Sequence, residues 1–233
     1  MNDEQKLLSV VLPAYKEEKN LELILPQINS VLNRLGITYE VLIIDTMEKM
    51  DDTKKVCELN NVRYYNRTGG NNYGDAIRTG IELVQSKYTI FMDADGSHDP
   101  EFIEKLFANK EGKDVVIASR YVEGGGTDNS KILILMSFVV NFLYSLILNL
   151  KCKDVSNSFK LYRTSDLKDL TLYCNNFDIV EEILFKLKKK KGNLKIKEIP
   201  FLFKKRMFGN TKRNLFLFIF TYVITLLKLR FGK

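Results

Sequence analysis

Four short apolar runs constrain this chain most: LLSVVLP (residues 7–13), YEVLIID (39–45), KYTIFMD (87–93) and KDVVIAS (113–119). A weaker run, VRYY (62–65), lies among them. Most are continuously apolar rather than alternating, the pattern of parallel strands covered on both faces. Helical periodicity separates them, over residues 21–35 ending at Gly36, then 54–59, 75–84 and 100–107. Pro26 is expected to kink or delay the first helix. Alternating strands and helices imply an α/β fold, a mostly parallel sheet flanked by helices and joined by right-handed crossovers. Ligands of such sheets bind beyond the C-terminal strand ends. Glu17, Asp45, Asp93 and Asp95, which follow three of these strands, are therefore expected on one rim.

The second half reads differently. Between Lys131 and Lys151 lie nineteen uncharged residues, nearly enough helix to reach across a bilayer's hydrocarbon. Ser137, Asn141, Ser145 and Asn149 recur every four residues there. Each step of four drifts by about 40°, so these polar groups share an arc of roughly 120°. That predicts a helix in a membrane interface or under a neighbouring helix, its polar arc toward a site or solvent. Residues 215–227, LFLFIFTYVITLL, lie between Lys212 and Arg213 on one side and Lys228, Arg230 and Lys233 on the other. Thirteen residues are short for a span, so a core or interfacial helix is expected, and basic flanks suit an anionic membrane surface.

Composition narrows the class. With 45% hydrophobic and 28% charged residues the chain is globular rather than disordered. Its formal net charge of +7 gathers late, in KLKKKK (186–191) and KKRMFGNTKR (204–213). Such runs suit an anionic partner or a solvated face. They lack the interleaved stacking aromatics of a nucleic-acid module, so no nucleic acid is expected as partner. Cys57, Cys152 and Cys174 form no CxxC pair, which argues against disulfides and a zinc site and fits a reducing cytosol. The acidic N-terminus has no signal-peptide pattern, so secretion is not expected.

The chemistry concentrates in FMDADGSHDPE (91–101). Asp93 and Asp95 repel each other unless a cation intervenes, and Mg²⁺ favours one or two carboxylates plus phosphate oxygens. Asp99 and Pro100 read as N-cap and first residue of a helix. His98, the one histidine, reads as a hydrogen-bonded bystander in a turn rather than a base. SRYVEGGGTDN (119–129) is expected to be a mobile loop at the same rim, and RTGGNNYGDA (67–76), which lacks the P-loop lysine, a close-packing turn near the bound ligand.

VVLPAYKEEKNL, YEVLIID, NNYGDAIRTGI, FMDADGSHDPE, SRYVEGG, DVSNSFKLYR and IKEIPFLFKKRMFGNTK occur in the order found in family 2 glycosyltransferases. Over about residues 10–212 the chain resembles that family, which has the GT-A fold, and most nearly its dolichyl- or polyprenyl-phosphate mannose synthases. The resemblance implies that Pro13, Tyr15, Glu17 and Asp45 hold the donor nucleotide. It implies a metal and diphosphate grip at Asp93 and Asp95, with Mg²⁺ or Mn²⁺ as cofactor, and a diphosphate clamp at Arg206 and Lys212. Arg120 and Asp154 would face the transferred sugar and the acceptor phosphate, so Asp95, Arg120 and Asp154 are the catalytic candidates. Ser137 and Asn141 match a Ser-x-x-x-Asn pattern on the family's acceptor-side interfacial helix. There are two departures. The family's Asp-Asp-x-Ser after the second strand is here DTMEKMDD, with Asp51 and Asp52 as shifted alternatives. A metal-ligating Gln is often found where Ser97 stands, so Ser97 would ligate directly or through a water.

The resemblance implies inverting transfer of a hexose, mannose favoured, from a GDP- or UDP-linked sugar to a polyprenyl phosphate. The place would be the cytosolic face of a membrane. Residues 1–210 would form the GT-A domain, including a helix over 131–150, and 211–233 a membrane-associating or packing helix. Leaving diphosphate charge needs electrostatic stabilisation. A lipid phosphate, already ionised near neutral pH, needs no general base, and no convincing base is evident. A saccharide or protein hydroxyl acceptor and a non-catalytic membrane scaffold are the alternatives.

Overall fold

The computed structural model describes residues 6–209 and 215–231. In chain order the first half holds β1 (Leu8–Pro13), α1 (Glu18–Arg34), β2 (Tyr39–Asp45), α2 (Thr53–Leu59) and β3 (Arg63–Asn66). α3 (Tyr73–Leu83), β4 (Tyr88–Phe91), α4 (Phe102–Ala108) and β5 (Val115–Ser119) follow. The second half adds β6 (Gly126–Thr127), α5 (Lys131–Ile147), β7 (Lys160–Arg163), α6 (Thr164–Lys168), α7 (Ile179–Lys191), β8 (Ile196–Pro200), β9 (Leu202–Phe203) and α8 (Leu215–Phe231).

Seven strands form one sheet in the order β3-β2-β1-β4-β7-β5-β8. All ladders are parallel except those of β7, which runs antiparallel to both β4 and β5. Both faces are covered, as the continuous apolar runs require. Val10 and Leu12 pack with Leu21, Ile24, Ile28 and Leu106 on one side. Val11, between them in sequence, packs with Ile77, Ile81, Leu184 and Tyr144 on the other. Chain order reverses direction between β1 and β4, and at such a switch point a crevice opens beyond the strand ends. Because β7 runs the other way, its entry, not its exit, lies at that rim. Residues 153–159 are thereby delivered beside Asp93 and Arg120.

Several expectations need correction. α1 begins at Glu18 and runs unbroken past Pro26, which is exposed, so the proline does not delay it. α4 starts at Phe102, two residues later than Pro100 implied. Asp99 caps the preceding turn, its Oδ1 accepting from Glu101 N at 3.1 Å, and it pairs with Lys204 at 2.8 Å. The glycine-rich segment after β5 is not simply a loop, because Gly126 and Thr127 form a ladder with Leu202 and Phe203. Three lysines of the 186–191 run are ion-paired at the end of α7: Lys186 with Glu182, Lys190 with Asp169, and Lys191 with Asp114 and Asp166.

α5 ends at Ile147, so Asn149 falls beyond the helix, in a turn at φ +53°. Its polar arc faces the protein rather than solvent: Asn141 is buried, and Ser145 donates to the Leu150 carbonyl at 2.5 Å. The apolar face points outward, with Ile132 71%, Leu135 64%, Phe142 56% and Leu146 64% exposed. α8 lies against α5, where Tyr144 donates to the Tyr222 carbonyl at 2.6 Å and their rings meet edge-on. Among the described residues no helix is long and apolar enough to cross a membrane.

Candidate active site

The rim beyond β1 and β2 is knitted by a residue that sequence reasoning passed over. Arg67 is 5% exposed and donates only to carbonyls: Asp45 at 3.0 Å, Asn71 at 3.1 Å, Asn72 at 3.0 Å, and Ala14. One guanidinium thus binds the ends of β1 and β2 to the turn before α3. The signal was a lone cation opening the glycine-rich NRTGGNN. At Gly74, where that turn becomes α3, a Cβ would sit 2.3 Å from the Cys174 carbonyl oxygen and 2.8 Å from Asn175 Cα. Backbone cannot yield as a side chain can. Gly74→Ala is therefore expected to cost about 1–3 kcal/mol, read as a lower urea midpoint at unchanged slope.

The four donor-side candidates occupy this rim. Pro13 ends β1, and Tyr15 is half-exposed just beyond it. Glu17 precedes α1; its Oε1 pairs with Arg206 Nη2 at 2.9 Å and its Oε2 accepts from Asn20 at 2.5 Å. Burial still raises its pKa above the ordinary carboxylate value. Asp45 is buried, which raises its pKa too, while Thr46 N–H at 2.8 Å and Tyr64 hydroxyl at 3.2 Å hydrogen-bond its carboxylate. Asp51 is used structurally: it accepts from the backbone of Glu18 at 3.0 Å and of Thr53 at 3.1 Å, capping two helices at once. Asp52 pairs on the surface with Lys49.

Beyond β4 the chain turns sharply at Gly96, φ +79°, where a Cβ would meet Met207 Sδ at 2.4 Å. Asp95 Oδ1 accepts from both Ser97 N at 3.0 Å and Ser97 Oγ at 2.6 Å. Ser97 is buried, its hydroxyl spent on orienting Asp95. Asp93 Oδ1 accepts from Ser158 at 2.9 Å and Tyr73 at 3.3 Å. Among the described residues no three His, Cys, Asp or Glu side chains gather as a metal cage. Two adjacent carboxylates without a third fit a cation that completes its shell with diphosphate and water, as Mg²⁺ does. The irregular segment after β9 lies across this turn, Lys204 N donating to the Ser97 carbonyl and Met207 N to that of Asp95. Asn20 grips the same segment through Phe208 N at 3.1 Å. Lys212 lies outside the described residues.

Arg120 and Asp154, thirty-four positions apart, form a bidentate pair. Nε meets Oδ2 at 2.8 Å and Nη2 meets Oδ1 at 2.7 Å, while Arg120 N also donates to Oδ2. Burial alone would raise the Asp154 pKa, but Arg120 holds it below the ordinary value; the Arg120 pKa is raised in return, against its own burial penalty. The loop around Asp154 is satisfied from several elements. Glu198 on β8 accepts from Lys153 N at 2.8 Å and Asp154 N at 2.9 Å. Asn141 on α5 accepts from Val155 N at 2.6 Å and Ser156 N at 2.9 Å. Its amide donates to the carbonyl of Ser137, the other acceptor-side candidate, at 2.7 Å. Lys160, fully buried, donates to the carbonyls of Val155 and Asn157, and burial pushes its pKa down to about 8. Glu198 and Lys160 were not read as site residues. The sequence signal was a charge inside each apolar strand, SFKLY and IKEIP.

The site therefore has an acidic half beyond β4, a basic segment across it, and a buried ion pair beyond β5. A family model described as glycosyl transferase family 2 matches residues 9–171. Dolichol-phosphate mannosyltransferase of Pyrococcus furiosus is 32% identical over 212 residues, spanning 88% of this chain but 58% of its own length. Polyprenol monophosphomannose synthase of Mycolicibacterium smegmatis is 26% identical over 222 residues, 88% of this chain and 80% of its own. Among solved structures, glucosyl-3-phosphoglycerate synthase from Mycobacterium tuberculosis with Mn²⁺, UDP and glucosyl-3-phosphoglycerate superposes with TM-score 0.72 at 19% identity, covering 97% of this chain and 80% of that one. Its complex with Mg²⁺ and UDP gives 0.71 at 18%, covering 97% and 79%. These two likenesses are of fold, and they carry the GT-A architecture. With a matched region reaching from β1 past the Asp154 loop and β7, this chain belongs to glycosyl transferase family 2.

Proposed function

We propose that the protein transfers a hexose, mannose favoured, from a nucleoside-diphosphate sugar to a polyprenyl phosphate at a membrane surface, inverting the anomeric centre. The observation that carries this reading is Asn141. It stands on a helix whose outer face is exposed and apolar, and its side chain holds the loop of the Arg120–Asp154 pair. A lipid lying along α5 would bring its phosphate to that loop. The names of the two curated relatives support the same acceptor class.

In this reading Tyr15, Glu17 and Asp45 seat the nucleotide, and Asp93 and Asp95 are the residues that would hold Mg²⁺ or Mn²⁺. That cation supplies charge neutralisation for the diphosphate when bound. Arg206 adds positive charge from the segment that follows β9, and the family pattern assigns the same role to Lys212. Arg120 draws the acceptor phosphate and Asp154 holds the guanidinium in one orientation. A phosphate oxygen attacks the anomeric carbon from the face opposite the diphosphate. The new C–O bond forms as the old one breaks, and the nucleoside diphosphate leaves with the electron pair. No proton has to be removed, so no base is required. Tyr121 is above its ordinary pKa through burial, which makes its hydroxyl a weak candidate for that duty.

The test is a screen of GDP- and UDP-linked hexoses against polyprenyl phosphate with Mg²⁺, followed by lipid extraction. Expected is one donor giving an acid-labile lipid product, lost in EDTA and restored by Mg²⁺ or Mn²⁺. Product found only on a water-soluble acceptor would overturn the lipid assignment.

A further inference from the structure

The two halves of the site meet through the one histidine. His98 is fully buried. Its Nδ1 accepts from Asp93 N–H at 2.9 Å, so the ring proton resides on Nε2, which lies 3.1 Å from Asn157 Oδ1 and donates to it. Asn157 in turn donates its amide to the Ala118 carbonyl at 2.6 Å and its backbone N–H to Asp154 Oδ1 at 3.2 Å. The ring is clamped on Phe159, centroids 4.7 Å apart at 13°, with Phe201 and Phe203 edge-on. Nothing reaches it from solvent, which removes it from acid–base chemistry with substrate.

We propose that His98 is a positioning residue that sets the distance between the donor-side Asp93–Asp95 turn and the acceptor-side Asp154 loop. The proposal rests on the donor and acceptor sides assigned above. Each half is built separately, the turn on β4 and the loop on β7, α5 and β8. The ring spans them, alongside the Ser158–Asp93 hydrogen bond. Displacement transfer demands that the two substrates be held in line, and a misplacement of about 1 Å can cost about 10²-fold in rate. Each substrate's own contacts survive loss of the ring nitrogens, so the effect belongs in kcat rather than in binding.

His98→Phe keeps an aromatic ring of similar size and deletes both nitrogens. It is expected to lower kcat by about 10²-fold while KM for donor and acceptor each move less than about threefold. Asn157→Leu breaks the same link from the other end. The double variant is expected to be no slower than the slower single, since one link can be cut only once. Losses that multiply, or a fall confined to KM, would overturn the proposal. Because the chain has one histidine, an untagged ¹⁵N-histidine-labelled sample gives one imidazole, which decides independently of turnover. Expected is the Nε2–H tautomer, with a signal that shifts on adding UDP or GDP with Mg²⁺ and again on adding polyprenyl phosphate. An Nδ1–H tautomer, or a signal blind to nucleotide and metal, would also overturn it. If the wild type makes no lipid-linked sugar while its imidazole is the Nε2–H tautomer and responds to nucleotide and metal, the acceptor assignment fails and the link stands.

Discussion

Asp95→Ala is expected to lower transfer by about 10³-fold, the scale seen when one preorganised electrostatic group is removed from a site that stabilises a leaving anion. The carboxylate is held by two hydrogen bonds from Ser97, and its own carbonyl receives Met207 N–H, so its direction is set before any ligand arrives. Asp95→Asn keeps the shape and removes the charge. If charge is what matters, it is as impaired as the alanine. Ser97→Ala keeps the charge and loses one of two orienting bonds; a loss of about tenfold is expected, matching one hydrogen bond to a charged group. Initial rates over a Mg²⁺ titration distinguish these cases, and an Asp95→Asn enzyme near wild-type rate would sink the charge argument. Folding should be little affected, because Asp95 is only half-buried.

The second large effect is on stability. Asp154→Ala leaves Arg120 buried without its counter-ion and removes the acceptor of Arg120 N and Asn157 N. Breaking a buried pair from one side costs about 3–5 kcal/mol. Against the usual 5–15 kcal/mol for a domain, such a loss threatens folding near 37 °C. The sequel separates structure from chemistry. Arg120→Met combined with Asp154→Leu replaces the pair by apolar groups, which is often neutral for stability. The double variant should therefore recover much of the urea midpoint lost by Asp154→Ala and stay inactive. Recovery of transfer together with stability would mean that the pair is scaffolding alone. The sign with pH follows from the lowered Asp154 pKa. Its stabilisation is complete above about pH 4, the unfolded value, and is lost only as acid passes through the lower folded value.

What could be read from the sequence followed from how each strand is buried. β1, β2, β4 and β5 are covered on both faces, so their residues are apolar almost without interruption, and that pattern alone puts Glu17, Asp45 and Asp93 on one rim. β7 and β8 carry Lys160, Lys197 and Glu198, whose charges hide the strand pattern, and the antiparallel insertion of β7 is a tertiary fact with no local signature. The same blindness applies to the ion pair. Arg120 and Asp154 could each be nominated from the resemblance, but their union depends on β7 entering the sheet at the rim. The polar arc of α5 was legible as an arc and not in its direction. Asn141 faces inward because the unpaired backbone amides of residues 155 and 156 wait there, a need that only the folded loop reveals.

That late strand also governs the order in which the molecule can be made. β4 and β5 are synthesised forty and more residues before the strand that joins them. A growing chain that has emerged as far as Ser119 can assemble β3-β2-β1-β4 but holds β4 as an open, apolar edge and β5 without a partner. Such edges invite pairing with other chains until they are covered. Closure waits for residues 160–163, and the loop that sets Asp154 opposite Arg120 arrives in the same few residues. Completion of the sheet and assembly of the Arg120–Asp154 pair are thus one event, and a chain stalled before it has neither.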